Sequence, residues 1–216
     1  MNRFLFLCIL LVFAPAGDAA TVKKLPLVEL ANTSHLIISG TVLSVQSRAG
    51  AARQFVEQTI VISVEETHLG QERPRVTLVR LGGSVGAGDR RIVQYIPGQA
   101  QFVPGERVLV FLQEVSPGRL VVNGLGQGKF SLVSFPHAPG VVYAKRSLDG
   151  LNLVGGPSVV VTLAGMPDDV VVFPLSQVLD IIAGRRPARE PILLNLKDGL
   201  VQPPAAPFGS GERRVR

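Results

Sequence analysis

The sequence predicts a mainly β protein: a small OB-like antiparallel barrel, with a β-sandwich as the alternative. Three observations carry this reading. Runs of valine, isoleucine and leucine recur at short spacing between glycine and proline clusters, the pattern of strands joined by turns. The turns are short enough to make neighbouring strands antiparallel, as in small closed barrels. Gly40 interrupts the first long run, where a barrel strand bends or bulges. A short N-terminal helix, one C-terminal helix and a disordered C-terminal tail complete the expected architecture.

The elements follow in order. Residues 1–19 read as a secretory signal peptide. Arg3 supplies the positive charge, Phe4 to Ala14 form an apolar run, and small residues precede a cleavage site after Ala19, with Ala14/Ala16 as the second choice. The run is too short to span a bilayer, which takes ~20 apolar residues. Cys8, the only cysteine, lies inside it with Leu7 before it, so the segment lacks the pattern of a lipoprotein signal. The expected mature chain has no cysteine and no transmembrane segment. Its expected location is outside the cytoplasm, periplasmic or extracellular, where it must fold on its core without disulfides.

Leu25–Ala31 reads as a short helix, with Pro26 in its first turn and Leu27, Leu30 and Ala31 on one face. Strands are expected at His35–Gln46, Phe55–Glu66, Arg75–Leu81 and Arg91–Ile96. In the second, Ile60, Ile62 and Val64 alternate with polar residues, the period of a half-buried strand. Val108–Leu112 is apolar on both faces and is expected to be the most buried strand. Ser116-Pro117-Gly118 then turns the chain into Leu120–Val122, and Phe130–Val133 and Val141–Ala144 complete the core.

Beyond these, Val159–Leu163 and Val170–Phe173 read as strands. Leu175–Ile182 reads as a helix between Pro174 and Gly184, with a stripe of Leu175, Val178, Leu179 and Ile182. A helix this short is not stable alone in water, nor is a two-stranded unit. Both are therefore expected to dock on the barrel. The expected organisation is a single β domain over 20–186, with a barrel core about 20–146 and a docked appendage about 147–186. A disordered, basic, Pro-rich tail follows at 187–216.

Much of the net charge of +6 lies at the C-terminal end. Arg185, Arg186, Arg189, Lys197, Arg213, Arg214 and Arg216 face only Glu190, Asp198 and Glu212 there. The body is nearly neutral and has two tyrosines, which argues against a nucleic-acid groove built from aromatics on a basic surface.

From Leu30 to Phe130 the chain resembles a group of uncharacterised exported bacterial proteins. Their domain is similar to the OB-like fold of the metalloproteinase-inhibitor (netrin-like) class. The residues that carry the resemblance are Ser39-Gly40-Thr41-Val42, Val64-Glu65-Glu66, Leu69-Gly70, Gly82-Gly83, Phe102-Val103-Pro104-Gly105-Glu106, Val110-Phe111-Leu112 and Gly124-Leu125-Gly126-Gln127-Gly128-Lys129-Phe130. They are mostly turn and core residues, so the resemblance implies fold far more than activity. Inhibitors of that class insert a disulfide-tethered N-terminal cysteine at the protease zinc, and this chain has no such residue.

The chemical motifs read as structure. Gly82-Gly83-Ser84-Val85-Gly86 matches G-x-S-x-G, but a nucleophile elbow launches a helix and here another strand is expected. Gly124–Lys129 lacks a phosphate-loop pattern, since Asn123 and Phe130 occupy its first glycine and its hydroxyl position. His35, His68 and His137 share no ligand spacing. Glu65-Glu66 and Asp168-Asp169 are neighbours, which point to opposite faces of a strand. Asn32-Thr33-Ser34 fits a glycosylation sequon and also a cap or turn at the helix end.

No catalytic, metal-binding or cofactor-binding residues are expected. The expected function is a non-enzymatic exported binding or structural module whose partner is a protein or cell-envelope polymer, not nucleic acid. Loops at about 47–54, 82–90 and 134–140 are expected to carry contacts. An inhibitor or accessory factor of an extracellular protease is the alternative, and a secreted hydrolase the third reading.

Overall fold

The computed structural model describes residues 20–50, 55–135, 139–154 and 170–184. The expected signal segment, the strand at Val159–Leu163, His137, Asp168-Asp169 and the tail lie outside the described residues.

In chain order the elements are β1 (Ala20–Lys23), α1 (Leu27–Thr33), β2 (Leu36–Ala49), β3 (Val56–Leu69), β4 (Arg75–Leu81), β5 (Gly83–Val85) and β6 (Ile92–Gln94). Then follow β7 (Arg107–Ser116), β8 (Arg119–Val122), β9 (Lys129–Ser134), β10 (Val142–Ser147), β11 (Leu151–Val154), β12 (Val170–Pro174) and α2 (Leu175–Ile182).

Five strands close into a ring, β2–β3–β4–β8–β7 and back to β2. This is the barrel that the spacing of the runs predicts. It is antiparallel except at one seam, where β4 meets β8 in parallel at Leu78 and Leu120. Antiparallel pairing alternates strand direction, so a ring of five strands cannot close without one parallel seam.

Gly40 sits at an irregularity in the pairing of β2 with β3, as expected. A Cβ there would lie 2.1 Å from the Ser63 carbonyl oxygen on the facing strand. Only glycine allows that approach.

The ring encloses one core. Ile38, Ile60, Ile62, Leu78, Val108 and Val110 are each fully buried in it. The strand expected to be most buried is so on both faces. Val108, Val110 and Leu112 point into the ring, whereas Leu109 and Phe111 point outward into a second core. That second core joins α1, Phe130 of β9, Ala144 of β10, Phe173 of β12 and Val178 and Ile181 of α2. Burying each large apolar side chain stabilises the fold by ~1.5–3 kcal/mol.

Four differences from the sequence reading have physical reasons. The runs at Phe130–Val133 and Val141–Ala144 are strands, but β9 and β10 extend the sheet beyond β7 with β12 at its outer edge, outside the ring. Periodicity shows that a strand has a buried face, not which sheet position it takes. Arg91–Ile96 is not a barrel strand either. Its centre, β6, pairs with β5 from the glycine-rich stretch in a separate two-stranded sheet.

In α2, Val178 of the expected stripe is buried and Leu175, Leu179 and Ile182 are partly buried, but Ile181, outside the stripe, is buried as well. Five of its eight residues are apolar, so the expected stripe through Leu179 and Ile182 was one of several arcs the pattern allows. The fourth difference is β1, which pairs in parallel with β11. Two four-residue strands far apart in sequence leave no periodic signal.

Candidate functional site

The segment between β4 and β7 builds the most developed groove. Gly82 and Gly83, with φ of 94° and 120°, turn the chain out of β4 in a conformation that favours glycine. The β5–β6 hairpin follows. Residues 95–101 then cross one end of the ring, and Ala100 and Phe102 are buried as part of its core. The hairpin is held to the barrel by Gly82 N–H donating to Val56 O (2.8 Å) and by Val56 N–H donating to Gln94 Oε1 (2.7 Å).

Arg80, near the end of β4, is half-buried where this segment meets the ring. It follows Val76 and Leu78 on the inward face. Its Nε donates to Gln58 Oε1 (2.6 Å) and its Nη1 to the Ala100 carbonyl (2.5 Å). Gln58 is itself fixed by donating to Ser47 Oγ (2.9 Å). Burial pushes the guanidinium below its ordinary pKa, though an arginine stays charged in proteins. No carboxylate among the described residues pairs with it, whereas Glu57 nearby holds both Arg48 and Arg119.

Arg80 lines a groove of about 270 Å³ with Gln58, Ser84, Arg91, Gln94 and Tyr95. On the far side of residues 95–101 lies a second cleft of about 170 Å³, bordered by Lys129, Ser131, Lys145 and Ser147. Tyr95, Gln99 and Gln101 line both, so the two adjoin as one track in which polar groups are set in a larger apolar surface.

Ser84 lies in this groove. Its Oγ accepts a hydrogen bond from Arg91 Nη2 (3.2 Å). Among the described residues that line the groove with it there is no histidine, aspartate or glutamate. The chain goes on through a three-residue 3₁₀ turn, Gly88–Arg90, into β6. An elbow would need a helix there.

The glycine-rich stretch at 124–129 forms a 3₁₀ turn over Leu125–Gly128. Gly126 N–H donates to Gly98 O and Gln127 N–H to Gly124 O, which leaves those amides closed to a phosphate. Gln127 is buried and ties the N-terminal segment to the barrel. It accepts from Leu25 N–H (2.8 Å) and donates to Lys23 O (3.0 Å). Asn123 does the same for the end of α1, donating to Thr33 Oγ1 (2.8 Å) and Ser34 Oγ (3.0 Å).

One arrangement was not legible in the sequence. Lys129 and Ser131, two apart on β9, share a face, and Lys129 Nζ lies 2.9 Å from Ser131 Oγ. A serine–lysine pair is a known form of activated nucleophile. Here Glu106 receives hydrogen bonds from both side chains. Burial lowers the Lys129 pKa and outweighs the opposing pull of Glu106. The lysine braces Glu106, just before β7, against β9 and packs against Phe102. Lys129 donates to Ser131 Oγ, whose own proton is directed to Glu106 and not to the amine. The Lys-x-Ser spacing was visible in the sequence; Glu106, distant along the chain, was not.

The other candidate residues are dispersed. His35 Nδ1 accepts from Glu114 N–H (3.3 Å). His68 is buried beside Ser39 and Glu66, and burial lowers its pKa. Glu65 accepts from Thr41 and Arg107, whereas Glu66 faces His68, so the two are not a dyad. Among the described residues no three histidine, cysteine or acidic side chains converge.

Glu57 gives a pH prediction. Hydrogen bonds from Arg48 and then Arg119 hold its carboxyl below the ordinary value of 4.5. A lowered folded-state pKa stabilises the fold above 4.5, and that contribution is lost as pH falls through the folded value. The melting temperatures of wild type and Glu57→Gln are therefore expected to differ most near pH 7 and to converge below about pH 4. A gap that stays constant down to pH 3 would contradict this assignment.

Compared with protein-family models, with curated proteins and with solved structures, the chain matches none.

Proposed function

We propose that the chain is an exported, non-enzymatic binding module, and that the track around Arg80 is its binding surface. The observation that carries this reading is Arg80, a half-buried cation whose protein partners are an amide oxygen and a carbonyl. A guanidinium held in this way is poised for an acidic group from outside. Ser84, with no base beside it among the described residues of the groove, supports binding over hydrolysis. The partner is a protein or cell-envelope polymer. Export rests on the N-terminal segment, which has the order of a cleaved signal.

The test is affinity capture from a periplasmic or culture-supernatant extract, with the wild-type chain and Arg80→Gln compared side by side. The expected result is stoichiometric recovery of a partner by the wild type and its loss with the variant. Equal recovery by both rules out the track. Recovery of a protease would favour the inhibitor reading that the resemblance implies, and turnover abolished by Ser84→Ala would replace binding by catalysis.

A further inference from the structure

We infer that the track recognises an acidic polysaccharide, with Arg80 as anchor for a carboxylate carried on a sugar ring. The inference rests on the binding reading above and adds the chemical class of the partner.

The chemistry of the track supports it. Two guanidiniums, Arg80 and Arg91, line the first cleft, and among the described residues no carboxylate lines it with them. Two lysines, Lys129 and Lys145, line the second, where Asp149 is the only acid among the lining residues. Lys129 is matched by Glu106 and Asp149 offsets Lys145 in the same cleft, so the surplus of positive charge lies with Arg80 and Arg91. Such a surplus draws a polyanion.

Arg80 is preorganised. With Nε and Nη1 fixed by Gln58 and Ala100, its Nη2 has no partner among the described residues and little freedom is lost when it binds. Glutamine amides line both clefts and serine hydroxyls border them. Each can donate and accept, as a sugar's own hydroxyls do. Tyr95, 56% exposed and bordering both clefts, offers a ring face and a hydroxyl at their junction. Two clefts joined by shared residues suit several linked sugar units better than one.

The experiment is calorimetric titration of the full-length exported protein with oligogalacturonate, alongside a neutral malto-oligosaccharide and oligoglutamate. Oligogalacturonate is expected to bind, more weakly as ionic strength rises, and the neutral sugar not to bind. Arg80→Gln is expected to weaken binding by about tenfold or more, the loss typical of a charge-assisted hydrogen bond. Arg91→Gln, at an exposed position where folding is not at stake, is expected to weaken it severalfold. Arg73→Gln, on the β3–β4 turn away from the track, leaves it unchanged.

No binding of oligogalacturonate, equal binding of the neutral sugar, or unaltered affinity in Arg91→Gln and a folded Arg80→Gln each overturns the inference. Tighter binding of oligoglutamate overturns it in favour of an acidic peptide. Arg80-dependent capture of some other partner would leave the binding module standing and remove only the polysaccharide.

Discussion

Replacing Phe130 by alanine is expected to destabilise the whole protein by ~3–5 kcal/mol, the range for a buried phenylalanine. Phe130 is fully buried on β9, outside the ring. Its ring lies 5.7 Å from that of Phe111 and 6.4 Å from that of Phe173. The Arg146 guanidinium packs 5.3 Å from its centroid. These residues come from β7, β9, β10 and β12, so the substitution opens a hole where the barrel's outer face meets the rest of the sheet. Aromatic pairing adds ~0.5–1.5 kcal/mol to the loss. Urea unfolding followed by circular dichroism should show one transition at a lower midpoint. A loss below ~1 kcal/mol, or a second transition with the first unmoved, would mean that the second core unfolds apart from the ring.

Gly40→Ala is the second large effect. The added methyl would stand 2.1 Å from a backbone carbonyl and 3.0 Å from the Ile62 side chain. A side chain could rotate away, but the Ser63 carbonyl can move only if β3 moves from β2, within the closed ring. The expected cost is about 3 kcal/mol or more, at or above the top of the usual range for overpacking. Gly118→Ala is the comparison, since a Cβ there meets nothing within 4 Å. Its φ of 74° makes it mildly strained. Thermal melts of the two variants should rank Gly40→Ala far below Gly118→Ala. The reverse order would refute the close approach of β2 and β3.

The same residues mark what the sequence made legible. Gly40 inside an apolar run pointed to an irregular strand, and Arg75–Leu81 was readable to its ends because Pro74 precedes it and the glycine-rich stretch from Gly82 ends it. Val108–Leu112, apolar at every position, announced a strand with a core on each side. Such signals are local. The order in which strands pair is not, and neither is the position of β9, β10 and β12 outside the ring.

The groove was less legible still. Loop 82–90 was legible as a glycine-rich break, and Gly82, Gly83 and Ser84 line the first cleft. Arg80 gave no sign of its own, because an arginine at the end of a strand ordinarily faces solvent. Its place depends on Gln58 across the sheet and on the Ala100 carbonyl further along the chain.

The most direct measurement of the central claim is backbone amide chemical-shift mapping on the ¹⁵N-labelled full chain during titration with the partner recovered by capture. The account predicts that the perturbed amides cluster at Arg80–Ser84 and Arg91–Gln101, with smaller shifts at Lys145–Ser147. Shifts concentrated on β1, β11 or the β3–β4 turn, with the amides around Arg80 unmoved, would contradict it.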